Sequence, residues 1–183
     1  MSVLPIRKYP DPVLRRAAAP VPKITKEVKK LLRDMMDTMR EAGGVGLAGP
    51  QVGISKRIIV VDVSDEKDPD PKKKRPFPKP FGLVNPEIVF EEGGLDSEEG
   101  CLSFPSDVRG VVPRSARVTV KAVNPETGKT VQIKADTLLS RVLQHEIDHL
   151  NGVLFIDRMA FSHKMKLRHA LAALEQENKW SLA

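Results

Sequence analysis

The chain is short of cysteine, of aromatic rings and of long apolar runs, and each shortage closes off a class of protein. Cys101 is the single cysteine in 183 residues, so no internal disulfide can form, and a reducing compartment, the cytoplasm, is expected. One Trp, one Tyr and six Phe are too few for the stacking platform that single-stranded nucleic acid needs, which argues against a non-catalytic RNA-binding module and against a specific nucleic-acid partner. The longest apolar runs, such as IIVV at Ile58–Val61, fall far short of the about 20 residues that cross a bilayer. The N-terminal MSVLPIRKYPDP has no uninterrupted apolar stretch and no small-residue cleavage site. Neither a secretory signal nor a membrane partner is expected.

What remains is an ordinary globular composition, 40% hydrophobic with a net charge of +6, in a length that suits one domain over residues 1–183. The positive charge permits a polyanionic neighbour without demanding one. Much of it sits in Lys72–Arg75, inside DPDPKKKRPFPKP, where closely spaced prolines forbid helix and interior strand alike. A solvated loop from about Ser64 to Pro80 is the expectation, not a nuclear-import signal.

Thr25 is placed to cap a helix with Val28, Leu31, Leu32, Met35 and Met39 on one face, ending at Gly43 and Gly44. GVGLAGPQVG is too rich in glycine and proline for a regular element, and the strand RIIVVDV follows it. A further strand is expected near Leu83–Phe90. RVTVKAV and KTVQIKA alternate in strand fashion around Asn124-Pro125-Glu126-Thr127-Gly128, which predicts a β-hairpin. Asp136 or Thr137 then opens a helix to about Leu150, stopped by Asn151 and Gly152, and a last helix covers roughly 162–178. The order of elements predicts an α+β fold, with antiparallel β-sheets packed around a central helix and a helix at each end of the chain.

That central helix carries LQHEIDHLNG, with two of the four histidines four residues apart around a glutamate. On a helix His145 and His149 share a face, and Leu138 and Val142 continue it, so the pair points inward, either as hydrogen-bonded core histidines or as two ligands of one metal ion. A catalytic site of this type wants three protein ligands and an open position for water. Metallopeptidases of the longer pattern H-E-x-x-H-x-x-G-x-x-H place a third histidine downstream. Here Gly152 satisfies that pattern and Phe155 stands where the histidine belongs. Glu175 or Glu177 remains possible as a ligand, on a helix that looks exposed. Cys101, in EGCLS, is the other candidate, because a thiolate binds such metals strongly.

Three stretches together resemble the peptide deformylase family. GVGLAGPQ at Gly44–Gln51 meets the motif G-x-G-L-A-A-P-Q with one departure at Gly49, EGCLS at Glu99–Ser103 meets the second motif in full, and QHEIDHLNG at Gln144–Gly152 meets the third. IRKYPDPVLR is also similar to deformylase N-termini. The resemblance implies an enzyme that hydrolyses the N-formyl group from the formyl-methionine of newly made polypeptides; an H-E-x-x-H metallopeptidase is the alternative. It implies Cys101, His145 and His149 as metal ligands, with Fe2+ the expected ion and Ni2+, Co2+ or Zn2+ able to replace it. Glu146 is the implied proton carrier, and the Gln51 amide and Leu102 N–H the implied donors to the developing oxyanion. Val45, Gly46, Gly100 and Val142 are the implied substrate-binding residues, Val142 lining the methionine pocket and Gly46 admitting the substrate backbone closely. Transient proximity to the ribosome is expected from the substrate's origin. Glu99 and Arg114 are expected to pair and steady the cysteine loop. Because a residue before proline favours extended backbone, Gly49→Ala is expected to be tolerated and to stabilise the fold.

Overall fold

The computed structural model describes residues 2–64 and 80–181. The expected basic loop, including Lys72–Arg75, lies almost wholly outside the described residues.

The first helix, α1, spans Lys26–Glu41, and the Thr25 side chain accepts a hydrogen bond from the Val28 N–H at 3.4 Å, as its capping role requires. Strand β1 is Gly46–Ala48, β2 is Ile58–Val61 and β3 is Phe81–Glu92. Strands β4 (Leu95–Glu99) and β5 (Gly110–Arg114) form a separate antiparallel pair. Strands β6 (Arg117–Val123) and β7 (Thr130–Asp136) make the expected hairpin, with Gly128 at φ +69° in its turn. The main sheet is antiparallel in the order β1-β2-β3-β6-β7. Helix α2 is Thr137–Leu150, with Asn151 as its C-cap and Gly152 at φ +72° beyond it. A short α3 (Phe155–Arg158) and a long α4 (Phe161–Ser181) complete the order. The α+β architecture around a central helix is therefore as read from the sequence.

Two stretches differ from expectation. GVGLAGPQVG is more regular than its composition suggests: Gly46–Ala48 pair with β2, and Gly49–Val52 form one 3-10 turn. Strands β4 and β5 escaped the pattern analysis because β4, LDSEE, is mostly exposed and carries no apolar alternation.

Strand β2 explains the position of α2. Its four apolar side chains alternate faces. Ile59 and Val61 join Leu83, Val120 and Ile133 under Val142, Leu143, Ile147 and Leu150 of α2. Ile58 and Val60 join Leu47 and Val84 against Leu32, Met35 and Met39 of α1. The sheet is thus clamped between two helices, and α2 is covered along most of its length: every residue from Val142 to Leu150 is buried. A third apolar cluster, containing Leu14, Phe104, Val112, Leu154 and Phe155, ties the N-terminal segment to β5 and α3.

Candidate metal centre and substrate cleft

Polar side chains on a buried helix need partners, and α2 finds them in the cysteine loop and the β5–β6 turn. Gln144 accepts from the Ser115 N–H at 2.9 Å and donates to the Ser115 carbonyl at 2.8 Å, acting as a strand neighbour made of one side chain. His145 Nδ1 lies 2.9 Å from Glu99 Oε2. An ionised carboxylate only accepts, so the proton belongs on Nδ1 and the lone pair of Nε2 is left free to bind an ion. Glu99 also accepts twice from Arg114, at 2.8 and 3.0 Å. Burial pushes the Glu99 carboxyl up, yet the bonds from Arg114 and His145 outweigh it and hold the group down at about 2. The expected Glu99–Arg114 pair is real and nearly dry, with side chains 4% and 3% exposed. It extends further than the sequence suggested, because Arg114 also donates to Asp148 at 2.5 Å, and Arg158 donates to the same carboxylate at 2.7 and 3.1 Å. Asp148 sits inside the H-E-x-x-H stretch, three residues after His145 on neighbouring helix surface. That spacing was the available signal.

On the opposite side of this network, Cys101 Sγ stands 3.2 Å from His149 Nε2. One donor atom from each of Cys101, His145 and His149 lies within 4.8 Å of the others. Glu175 is elsewhere, accepting from the Tyr9 hydroxyl, and the side chain of Glu177 is outside the described residues. Phe155, in the place of a peptidase's third histidine, is 1% exposed in the apolar cluster, its ring centroid 6.3 Å from that of His145. Glu146, next to His145, is 4% exposed, and its Oε2 has no hydrogen-bond partner among the described residues. Burial pushes its carboxyl up to about 7. A thiolate and two imidazoles converging beside an unpartnered carboxyl suit a divalent transition metal with an open position.

Gln51 is 1% exposed. Its Oε1 accepts from the Ala48 N–H at 2.8 Å, which turns the NH2 group toward Cys101 Sγ at 3.4 Å and Ser103 Oγ at 3.3 Å. Leu102 follows Cys101 in the same loop, and its carbonyl accepts from Lys8 Nζ at 2.6 Å. Above these atoms opens a cavity of about 670 Å³, whose lining includes Val45, Gly46, Gly100, Val142 and Glu146. Gln51, Cys101, Leu102 and His145 line the same cavity, and His149 stands against Cys101.

Two glycines are held in tight surroundings, and one of them overturns an expectation. A Cβ on Gly46 would lie 2.8 Å from Glu146 Cδ and 2.9 Å from its Cγ, so the side chain missing there makes room for Glu146 in the wall of the cavity. A Cβ on Gly49 would lie 2.6 Å from the Lys56 carbonyl oxygen and 2.7 Å from that of Ile54. The tolerance expected for Gly49→Ala is thus corrected: two main-chain oxygens fill the space, and main chain cannot swing aside as a side-chain tip can.

Residues 3–165 match the family model described as polypeptide deformylase. The chain belongs to that family. The deformylase of Halothermothrix orenii is 51% identical over 159 residues, covering 87% of this chain and 95% of that one, and the deformylase of Acidobacterium capsulatum is 44% identical over 180 residues, covering 98% and 100%. A crystal structure of peptide deformylase from Plasmodium falciparum superposes with a TM-score of 0.86 at 39% identity, over 97% of this chain and 99% of that one. The reaction is accordingly hydrolytic removal of the N-formyl group from newly made polypeptides, by a metalloenzyme with a Cys-His-His metal-binding group. Among the described residues, no helix is long and apolar enough to cross a membrane.

Proposed function

We propose that residues 1–183 act as one catalytic domain in which Cys101, His145 and His149 hold Fe2+, and that the substrate is the formyl-methionyl end of a nascent chain. The convergence of three donor atoms within 4.8 Å, beside the unpartnered carboxyl of Glu146, carries this reading. The bound ion would supply Lewis acidity, which makes hydroxide available from water near neutral pH. Nickel, cobalt or zinc fits the same donors, since none of them demands a different ligand set.

The protein's own groups do the rest. Glu146 takes the proton of the attacking water and returns it to the methionine nitrogen as the C–N bond breaks and formate leaves. Its raised pKa, about 7, suits a group that must both accept and release a proton near neutrality. Gln51 Nε2 and the Leu102 N–H donate to the formyl oxygen as negative charge builds on it. Gln51 reaches that task without reorganising, because the Ala48 N–H already holds its carbonyl end. Val142, a turn before Glu146 on α2, lines the pocket for the methionine side chain, while Val45, Gly46 and Gly100 flank the path of the main chain. The net charge of +6 favours residence near ribosomal RNA in the cytoplasm, where such substrates emerge.

Cys101→Ser tests the ligand assignment, because a neutral hydroxyl replaces a thiolate. Metal analysis of the purified variant should show most of the iron lost. Full metal occupancy would remove Cys101 from the centre.

A further inference from the structure

The cleft wall carries three cations, and they differ in what already holds them. Lys8 donates to the Leu102 carbonyl at 2.6 Å, and Arg109 pairs with Glu98 at 3.1 Å. Arg141 is half-buried in the wall of the same cavity and has no hydrogen bond or ion pair among the described residues. A guanidinium that gives up part of its hydration without a partner is at a disadvantage until an acceptor arrives. In a cleft, that acceptor comes with the ligand.

The sequence position of Arg141 says which part of the ligand it meets. Arg141 stands one helical turn before His145 and directly before Val142, so it shares the α2 face that presents the metal donors and the methionine pocket. With methionine seated against Val142, the next residue of the peptide is the one brought to Arg141. The two nearby carboxylates of the cysteine loop are committed, Glu98 to Arg109 and Glu99 to Arg114. Neither competes with an incoming anion for Arg141.

We propose that Arg141 is a specificity-determining residue that selects formyl-methionyl chains with a carboxylate side chain at the second position. This rests on the reading of the cavity as the substrate cleft. Wild-type enzyme is assayed for formate release on formyl-Met-Glu-Ala-amide, its Gln counterpart and its Lys counterpart, the terminal amide leaving the Glu side chain as the sole carboxylate. The Glu peptide should exceed the Gln peptide in kcat/KM by about three- to tenfold, as expected of a half-buried charge pair, and the Lys peptide should be the poorest. Raising the salt from about 50 mM to about 0.5 M should shrink that ratio. In Arg141→Gln the Glu-to-Gln ratio should fall to near one whatever the absolute rates, and in Arg141→Lys part of it should return. Equal rates on the Glu and Gln peptides in the wild type, or a preference that survives salt or the Gln substitution, would overturn the proposal. So would a preference that appears only when the terminal amide is replaced by a free carboxylate. Absence of formate from all three peptides would instead remove the reading of the cleft itself.

Discussion

Alanine at Gly46 would put its Cβ within 2.8 Å of Glu146 Cδ, so the cost of that single methyl group falls on the proton carrier and not on the fold. Gly46→Ala is expected to keep its metal and its melting temperature within about a degree or two, and to lose at least about tenfold in kcat, because a displaced Glu146 no longer faces the attacking water at hydrogen-bond distance. Unchanged kcat would show that Glu146 works from another position. At Gly49 the same methyl group meets carbonyl oxygens of Ile54 and Lys56, and here the fold bears the cost. Gly49→Ala should lose about 1–3 kcal/mol of stability, which in a chain of this size lowers the melting temperature by about 2–4 °C per kcal/mol. A thermal melt at or above that of the wild type would contradict the packing at this turn. The sequence shows that Gly49 precedes a proline, which speaks only to its own backbone. It does not show that the chain returns at 54–56 to close over it, and this is why the expectation had the wrong sign.

Helix α2 and the elements locked to it show what patterning can and cannot reveal. The helix was legible because its apolar period, its Asn-Gly stop and its H-E-x-x-H spacing agree. The β6–β7 hairpin was legible because alternation and turn chemistry coincide there. Strands β4 and β5 were not, since β4 carries no apolar alternation and the contacts that hold the pair are distant in sequence: Glu99 and Arg114, the last residue of each strand, enter the buried network with Asp148. One of the contacts that fasten α3 to the N-terminal segment was equally invisible, an ion pair between residues 142 positions apart, Arg15 and Asp157. Burial pushes the Asp157 carboxyl up, but the Arg15 guanidinium and the Leu154 N–H, 2.8 Å away, lower it further, to below its ordinary 3.8. A carboxyl depressed on folding contributes stability that is complete above its unfolded pKa and is lost as pH falls through the folded one. Relative to Asp157→Asn, the wild type should therefore hold its full advantage in melting temperature at about pH 6 and lose it progressively below 3.8. An advantage that is constant down to about pH 2, or that grows in acid, would contradict this account of how α3 is fastened.

Over the whole molecule, the sheet clamped between α1 and α2 brings three distant stretches, around Gln51, Cys101 and His145, to the head of one cavity. Their identities could be read from the chain, since each lies in a compact motif. Their mutual geometry could not, because it depends on the register of β4 with β5 and on the Arg114 network behind His145. The central claim is that this assembly hydrolyses a formyl amide, with Glu146 moving the proton and three other residues holding the ion. The most direct test is formate release from a formyl-Met peptide by wild type and Glu146→Gln, each loaded and assayed for metal in the same preparation. The account predicts equal metal content, stoichiometric formate from the wild type with internal peptide bonds intact, and a loss of at least about a hundredfold in kcat for the variant. Wild-type turnover by a fully loaded Glu146→Gln, or cleavage of internal peptide bonds without formate, would contradict it.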